Sequence, residues 1–236
     1  MNTMKFKPYA FLLHWVINAV GVWLVASVAS LIAWVPIAVL ISVLDQYPVL
    51  APIVRVISTV AIFTIPGMSI GYILGEVQQN ILRDFLKWDF APHWVRYSSI
   101  GGLIGGIAVI GFSVLFGAAL PERIQWMMLL PLFILPISIM QWRILDPIAH
   151  EAWMWILGNL VAAIVFSGLF FSTQPMPFIE ALPVASLILW LMAAIALGAI
   201  TGVVILWLYQ HQISEWDDEN AELAPVYVEV RNQDDQ

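Results

Sequence analysis

No cysteine occurs in the 236 residues. Disulfides, cysteine-ligated zinc, iron–sulfur clusters and thiol nucleophiles are thereby excluded. Charge is scarce too, at 11% of residues against about 25% in an ordinary soluble domain. No lysine falls deep in an apolar run, which removes a Schiff-base lysine. Glycine-rich stretches are not followed by Gly-Lys-Ser/Thr, so they are not phosphate loops. The four histidines include no i, i+4 pair and no His-Glu-x-x-His, the spacing that puts two zinc ligands on one helix face. No nucleophile–base set stands out by spacing. The sequence nominates no catalytic residue, no metal ligand and no cofactor.

Apolar residues make up 61% of the chain, and mean hydropathy is +0.90. The excess is gathered into runs long enough to cross a bilayer, which takes ~20 residues of helix. Only helices and closed barrels satisfy every backbone polar group in hydrocarbon. Runs this long without polar alternation select helices over barrel strands. The expectation is an all-α polytopic membrane bundle of about six transmembrane helices. The spans fall at 10–36, 54–77, 95–119, 124–144, 153–172 and 183–209. Residues 1–9 form a basic N-terminus, and 10–211 the membrane domain. Span one is expected to break near Trp34 or Pro36, with a kinked extension toward Leu44, because proline lacks an N–H. Pro66-Gly67 reads as a bend, and Pro131 and Pro136 as interruptions of span four. Asp45-Gln46-Tyr47-Pro48 and Gln174-Pro175-Met176-Pro177 read as turns. The tail, 212–236, carries eight acids against Arg231 alone and reads as disordered and cytoplasmic. It accounts for the whole formal charge of −7 and argues against nucleic acid as a partner.

Lysine and arginine set orientation in short loops. With the N-terminus cytoplasmic, that side holds Lys5, Lys7, Arg83, Lys87, Arg96, Arg143 and Arg231. The other holds Arg55 and Arg123. The bias puts both termini in the cytoplasm.

Trp15-Val16-Ile17-Asn18-Ala19-Val20-Gly21 is similar to Trp94-Val95-Arg96-Tyr97-Ser98-Ser99-Ile100-Gly101, and Trp155-Ile156-Leu157-Gly158-Asn159 follows more loosely. Gly71-x3-Gly75-x2-Gln78-x3-Leu82 aligns with Ser138-x2-Gln141-x3-Leu145. Gly198-x3-Gly202 continues that pattern, with Ile205 where glutamine would fall. The simplest reading is three repeated helical hairpins, each an odd span followed by an even one.

The runs Gln141-Trp142-Arg143-Ile144-Leu145, Trp155-Ile156-Leu157 and Gly198-Ala199-Ile200-Thr201-Gly202-Val203-Val204 resemble those of a broad group of uncharacterised bacterial multipass membrane proteins. That group, of cyanobacterial and Chloroflexi type, repeats Gln-Trp-x-x-Leu-Arg and ends on a Gly-Ala-Ile-Thr-Gly helix. Asp146 departs from its usual basic residue, which Arg83 keeps in the first copy. The resemblance implies a topology and a bacterial plasma membrane, or a thylakoid membrane in a cyanobacterium. It implies no activity.

Gln78, Gln79 and Gln141 fall near the cytoplasmic ends of their spans, and Trp15, Trp94, Trp153 and Trp155 begin spans on that side, with His14, His93, His150 and His211 nearby. The plain reading is an interfacial belt, where tryptophan is enriched. The sharper one is a shallow site with Gln78, Gln79 and Gln141 as hydrogen bonders and Trp15, Trp94 and Trp155 as walls around a headgroup, pigment or small ligand. Glu76 is the one acid well inside a span. It reads as pairing with Arg83 or Arg96, or else as an ion or proton site. Gly71/Gly75, Gly101/Gly105, Gly102/Gly106 and Gly198/Gly202 are small-xxx-small pairs that let helices approach closely. Span two, with its matching glycines, is the expected partner of span six.

Few deep polar groups and many packing motifs favour a non-enzymatic membrane protein that packs with or organises a membrane partner, a second copy or lipid. A transporter or channel for a small neutral or lipophilic molecule is the alternative, on its repeated hairpins and proline breaks. An intramembrane enzyme stands third.

Overall fold

The computed structural model describes residues 7–44, 51–86, 91–149, 151–172 and 183–219. On parts of α1, α2, α3, α5 and α6 only the backbone is described. The described residues hold six helices and no strand: α1 (Pro8–Leu44), α2 (Ala51–Ile81), α3 (Ala91–Phe116), α4 (Glu122–Leu145), α5 (Trp153–Ser172) and α6 (Pro183–Glu219). A π-turn, Leu82–Leu86, extends α2. Among the described residues, five stretches are long and apolar enough to cross a membrane: Pro8–Ala26, His93–Phe116, Glu122–Leu145, Trp153–Phe170 and Leu187–His211. That fits a membrane protein. The sixth expected span lies on α2, whose side chains at 51–59 are outside the described residues. So are the expected turns at 45–48 and 174–177, His150 and the tail beyond Glu219.

Three expectations change. α1 does not break at Pro36 but continues to Leu44, 37 residues in all. At ~1.5 Å per residue that is about 55 Å, well beyond a ~30 Å hydrocarbon core. α4 runs unbroken through Pro131 and Pro136, as α2 does through Pro66. Neighbouring helices let a proline's lost hydrogen bond be tolerated inside a bundle. α6 continues past Tyr209 to Glu219, so the first turns of the expected disordered tail are helical.

Each helix packs on its neighbours in the chain, and α6 returns to α1, which closes a ring. Glycines set how closely the helices approach. α3 presents Gly102 and Gly106 to α2, and Gly101 and Gly105 to α4. A Cβ on Gly102 would strike the carbonyl oxygen of Gly67, and one on Gly106 that of Phe63. A Cβ on Gly101 would stand 2.5 Å from the Ile137 Cα, and one on Gly105 2.5 Å from the Phe133 carbonyl oxygen. Gly71 likewise has no room beside the Ser98 carbonyl, and Gly75 meets Ser98 and Val95. These four-residue spacings put small residues on one helix face, and the obstacles they meet are mostly backbone.

Span six does not pack on span two. A Cβ on Gly198 would meet Ala19 and Val16, and one on Gly202 would meet Leu12 and Trp15, all on α1. The ring separates α6 from α2 by inserting α1 between them. Matching glycine grooves carry no information about which helix fills the intervening place.

Candidate functional site

One end of the ring gathers side chains from all six helices. Phe11 and Trp15 come from α1, Ile81 from α2, and Leu82 and Leu86 from its π-turn. Trp94 comes from α3, Leu145 from α4, Trp155 from α5, and Ile205 and Leu208 from α6. The exposed arginines Arg83, Arg96 and Arg143 stand at this same end. The indole of Trp155 lies between the other two, 6.0 Å from Trp94 and 6.2 Å from Trp15 by ring centroids, tilted in one pair and edge-on in the other. These are favoured aromatic geometries.

An indole N–H only donates, so each tryptophan buried here needs an acceptor. Trp94 Nε1 donates to Gln78 Oε1 at 3.1 Å, and Trp155 Nε1 to Gln141 Oε1 at 3.0 Å. Trp15 Nε1 donates to Thr201 Oγ1 at 3.0 Å. The donor-only indoles fix which way both carboxamides point. Gln141 therefore turns its Nε2 inward, where it donates to Gln78 Oε1 and to Ser98 Oγ, each at 2.8 Å. Ser98 can accept because its own hydroxyl proton goes to the Trp94 carbonyl at 2.7 Å. Thr201 donates back to the Leu197 carbonyl at 2.9 Å.

Gln78, Gln141, Trp15, Trp94 and Trp155 are thus brought together, but they bond to one another. Gln141 is 1% exposed and Trp94 and Trp155 are fully covered. The expected interfacial belt does not hold for these three tryptophans. Two carboxamides and a threonine hydroxyl inside the ring meet their N–H groups, so the rings can bury their apolar area. Trp153 does face outward, 54% exposed. Gln79, one residue from Gln78, is on a different face. Its Oε1 is buried and has no hydrogen-bond partner among the described residues. Glu76 is half-buried and, among the described residues, pairs with neither Arg83 nor Arg96. Arg83 instead lies 3.7 Å from Asp84 and donates to Asn80. His14, His93 and His211 are exposed, and no group of three His, Asp or Glu among the described residues could hold a metal.

Ser98, Asn159 and Thr201 were absent from the candidate set. Their signal is spacing. Ser98 and Asn159 each follow a network tryptophan by four residues, and Thr201 closes a Gly-x2-Thr that repeats Gly75-x2-Gln78 and Ser138-x2-Gln141.

A small cavity lies beside the network, lined by Trp15, Ala19, Gln78, Asn159, Leu197 and Thr201 among others. The space open to a water's centre is about 20 Å³. That is room for a water or two, whereas pockets for small organic ligands run to several hundred Å³.

Comparison with family models, with curated proteins and with solved structures found no match.

Proposed function

We propose that this chain is a non-catalytic integral membrane protein that works through its outer surface, packing with or organising a membrane partner, a second copy or lipid. One observation carries this reading: the polar groups at the heart of the ring spend their hydrogen bonds on one another. The Gln78 oxygen already accepts two N–H groups and has no lone pair left for a substrate. The space beside it is too small for one. The outward faces are apolar instead, as with Leu13, Ile17, Val114 and Val203.

The Lys/Arg distribution supports both termini on the cytoplasmic side of a bacterial plasma membrane. The motif resemblance to multipass bacterial proteins points the same way. Reporter fusions after Glu122 and Pro177 should read external, and fusions after Lys87, after Ile148 and at the C-terminus cytoplasmic. A C-terminus found outside overturns the orientation.

The function itself is tested by affinity purification in mild detergent, with identification of bound protein and lipid. A stoichiometric protein, a homo-oligomer or a tightly held lipid class is expected. A lone monomer that retains no lipid, and that speeds the flux of small neutral solutes in proteoliposomes, would replace this reading with a transporter.

A further inference from the structure

The contacts supply a register for the third copy that differs from the glycine alignment. Gly75 stands against Val95 and Ser98, the residues one and four after Trp94. Gly198 stands against Val16 and Ala19, the residues one and four after Trp15. Gly198 therefore corresponds to Gly75, not to Gly71, and three residues on, Thr201 corresponds to Gln78. Four further on, Leu82, Leu145 and Ile205 all fall in the same buried cluster. The indole bonds agree, since Trp94, Trp155 and Trp15 donate to Gln78, Gln141 and Thr201.

In the joint between the first two pairs, Gln141 reaches Gln78 and Ser98. Among the described residues the other two joints show no such link. Thr201 is shorter by two heavy-atom positions, and its proton is turned back to its own helix. Ala19 stands where Ser98 would supply an acceptor. Two polar groups are left over as a result. Nε2 of Gln78 donates to nothing among the described residues, because both hydrogen bonds of that side chain are made at Oε1. Asn159 donates its Nδ2 to the Trp155 carbonyl at 2.8 Å, which leaves its Oδ1 as a spare acceptor. Gln78 is 7% and Asn159 8% exposed, and both line the 20 Å³ cavity with Thr201.

We propose that this cavity is the place a glutamine at position 201 would fill, and that it binds water there, bridging the Gln78 Nε2 donor to the Asn159 Oδ1 acceptor. The volume suits one or two waters, and a buried water typically makes two to four hydrogen bonds. Such a donor and acceptor, with the Thr201 hydroxyl beside them, supply that number. The water does at this joint what the Gln141 carboxamide does at the first, where it reaches Gln78 and Ser98.

The test uses the full chain, 15N-labelled, in lipid bilayers. Water-edited NMR follows magnetisation from water to the side-chain amides. Transfer to Gln78 and Asn159 should be strong, and transfer to Gln141, whose amide is already bonded within the protein, weak. Thr201→Gln should restore the carboxamide, abolish that transfer and raise Tm by roughly 2–4 °C, the scale of a modest stabilisation at this chain length. Equal, weak transfer to all three amides in the unmodified protein overturns the water site. A Thr201→Gln chain that melts lower, or fails to fold, overturns the glutamine register, while the spectra of the unmodified protein still decide the water.

Discussion

The two sides of the ring are joined by different means. Across α2, α3 and α4, glycine on one helix faces backbone on the next, and both glutamines of the network belong to this side. Across α5, α6 and α1, the obstacles are side chains. Gly158 faces Val204, Gly202 faces Leu12 and the Trp15 ring, and Gly198 faces Ala19 as well as the Val16 backbone. Here the indole acceptor is a threonine and not a glutamine, and the cavity lies beside it. Backbone cannot retreat without moving a whole helix, whereas a leucine or an indole can turn. The first side should therefore be rigid and intolerant, and the second more forgiving.

Gly102→Leu should do most damage, because its Cβ collides with the carbonyl of Gly67. A loss of about 3 kcal/mol or more is expected, at the top of the overpacking range, and thermal unfolding in detergent with expression yield would measure it. If it costs no more than Gly202→Leu, the proposed difference between the two sides is wrong.

Gln141→Leu comes next. It removes the acceptor of Trp155 and the donor to Gln78 and Ser98. Interhelical hydrogen bonds in membranes average only about 0.6 kcal/mol, but a buried group left unsatisfied costs about 1–3. A net loss of about 2–3 kcal/mol follows, with a change in tryptophan emission as the Trp155 N–H loses its partner. Unaltered emission and Tm would show that the network is incidental.

Gly202→Leu should cost about 1–2 kcal/mol, since Leu12 and Trp15 can give way. Unchanged stability would mark that glycine as packing nothing. Gly168→Ala on α5 should do the reverse. Nothing lies within 4 Å of a Cβ there, so the helix gains about 0.5–1 kcal/mol from the stiffer residue. A loss at this position would reveal a hidden contact on the looser side.

Much of the site could be read in the chain before it was folded. Gln78, Gln141 and the three tryptophans were picked out by their shared depth at one end of the spans. Thr201 was passed over because of the glycines. In Ala194-x3-Gly198-x3-Gly202 a small residue recurs every turn, so sliding the alignment by four residues leaves the pattern almost unchanged. The register proposed above rests instead on the contacts of Gly198 with Val16 and Ala19. Pro36, Pro131 and Pro136 misled in the other direction. A proline weakens a helix by local rules, but in α1 and α4 the helix carries on through them.

What the sequence determined is what depends on near neighbours. A helix satisfies its own backbone within four residues, so long apolar runs suffice to specify helices and to set their approximate ends. What only the tertiary structure decided is which helices meet. Gln141 reaches Gln78 across 63 residues and Trp15 reaches Thr201 across 186, and no periodicity along the chain records either distance. The return of α6 to α1 decided that Trp15 would be a buried donor inside the ring and not an anchor at a membrane surface. The physical reason is that a side-chain hydrogen bond is worth making inside a bundle only where two helices come close enough to exclude competing partners. That closeness is a property of the whole ring.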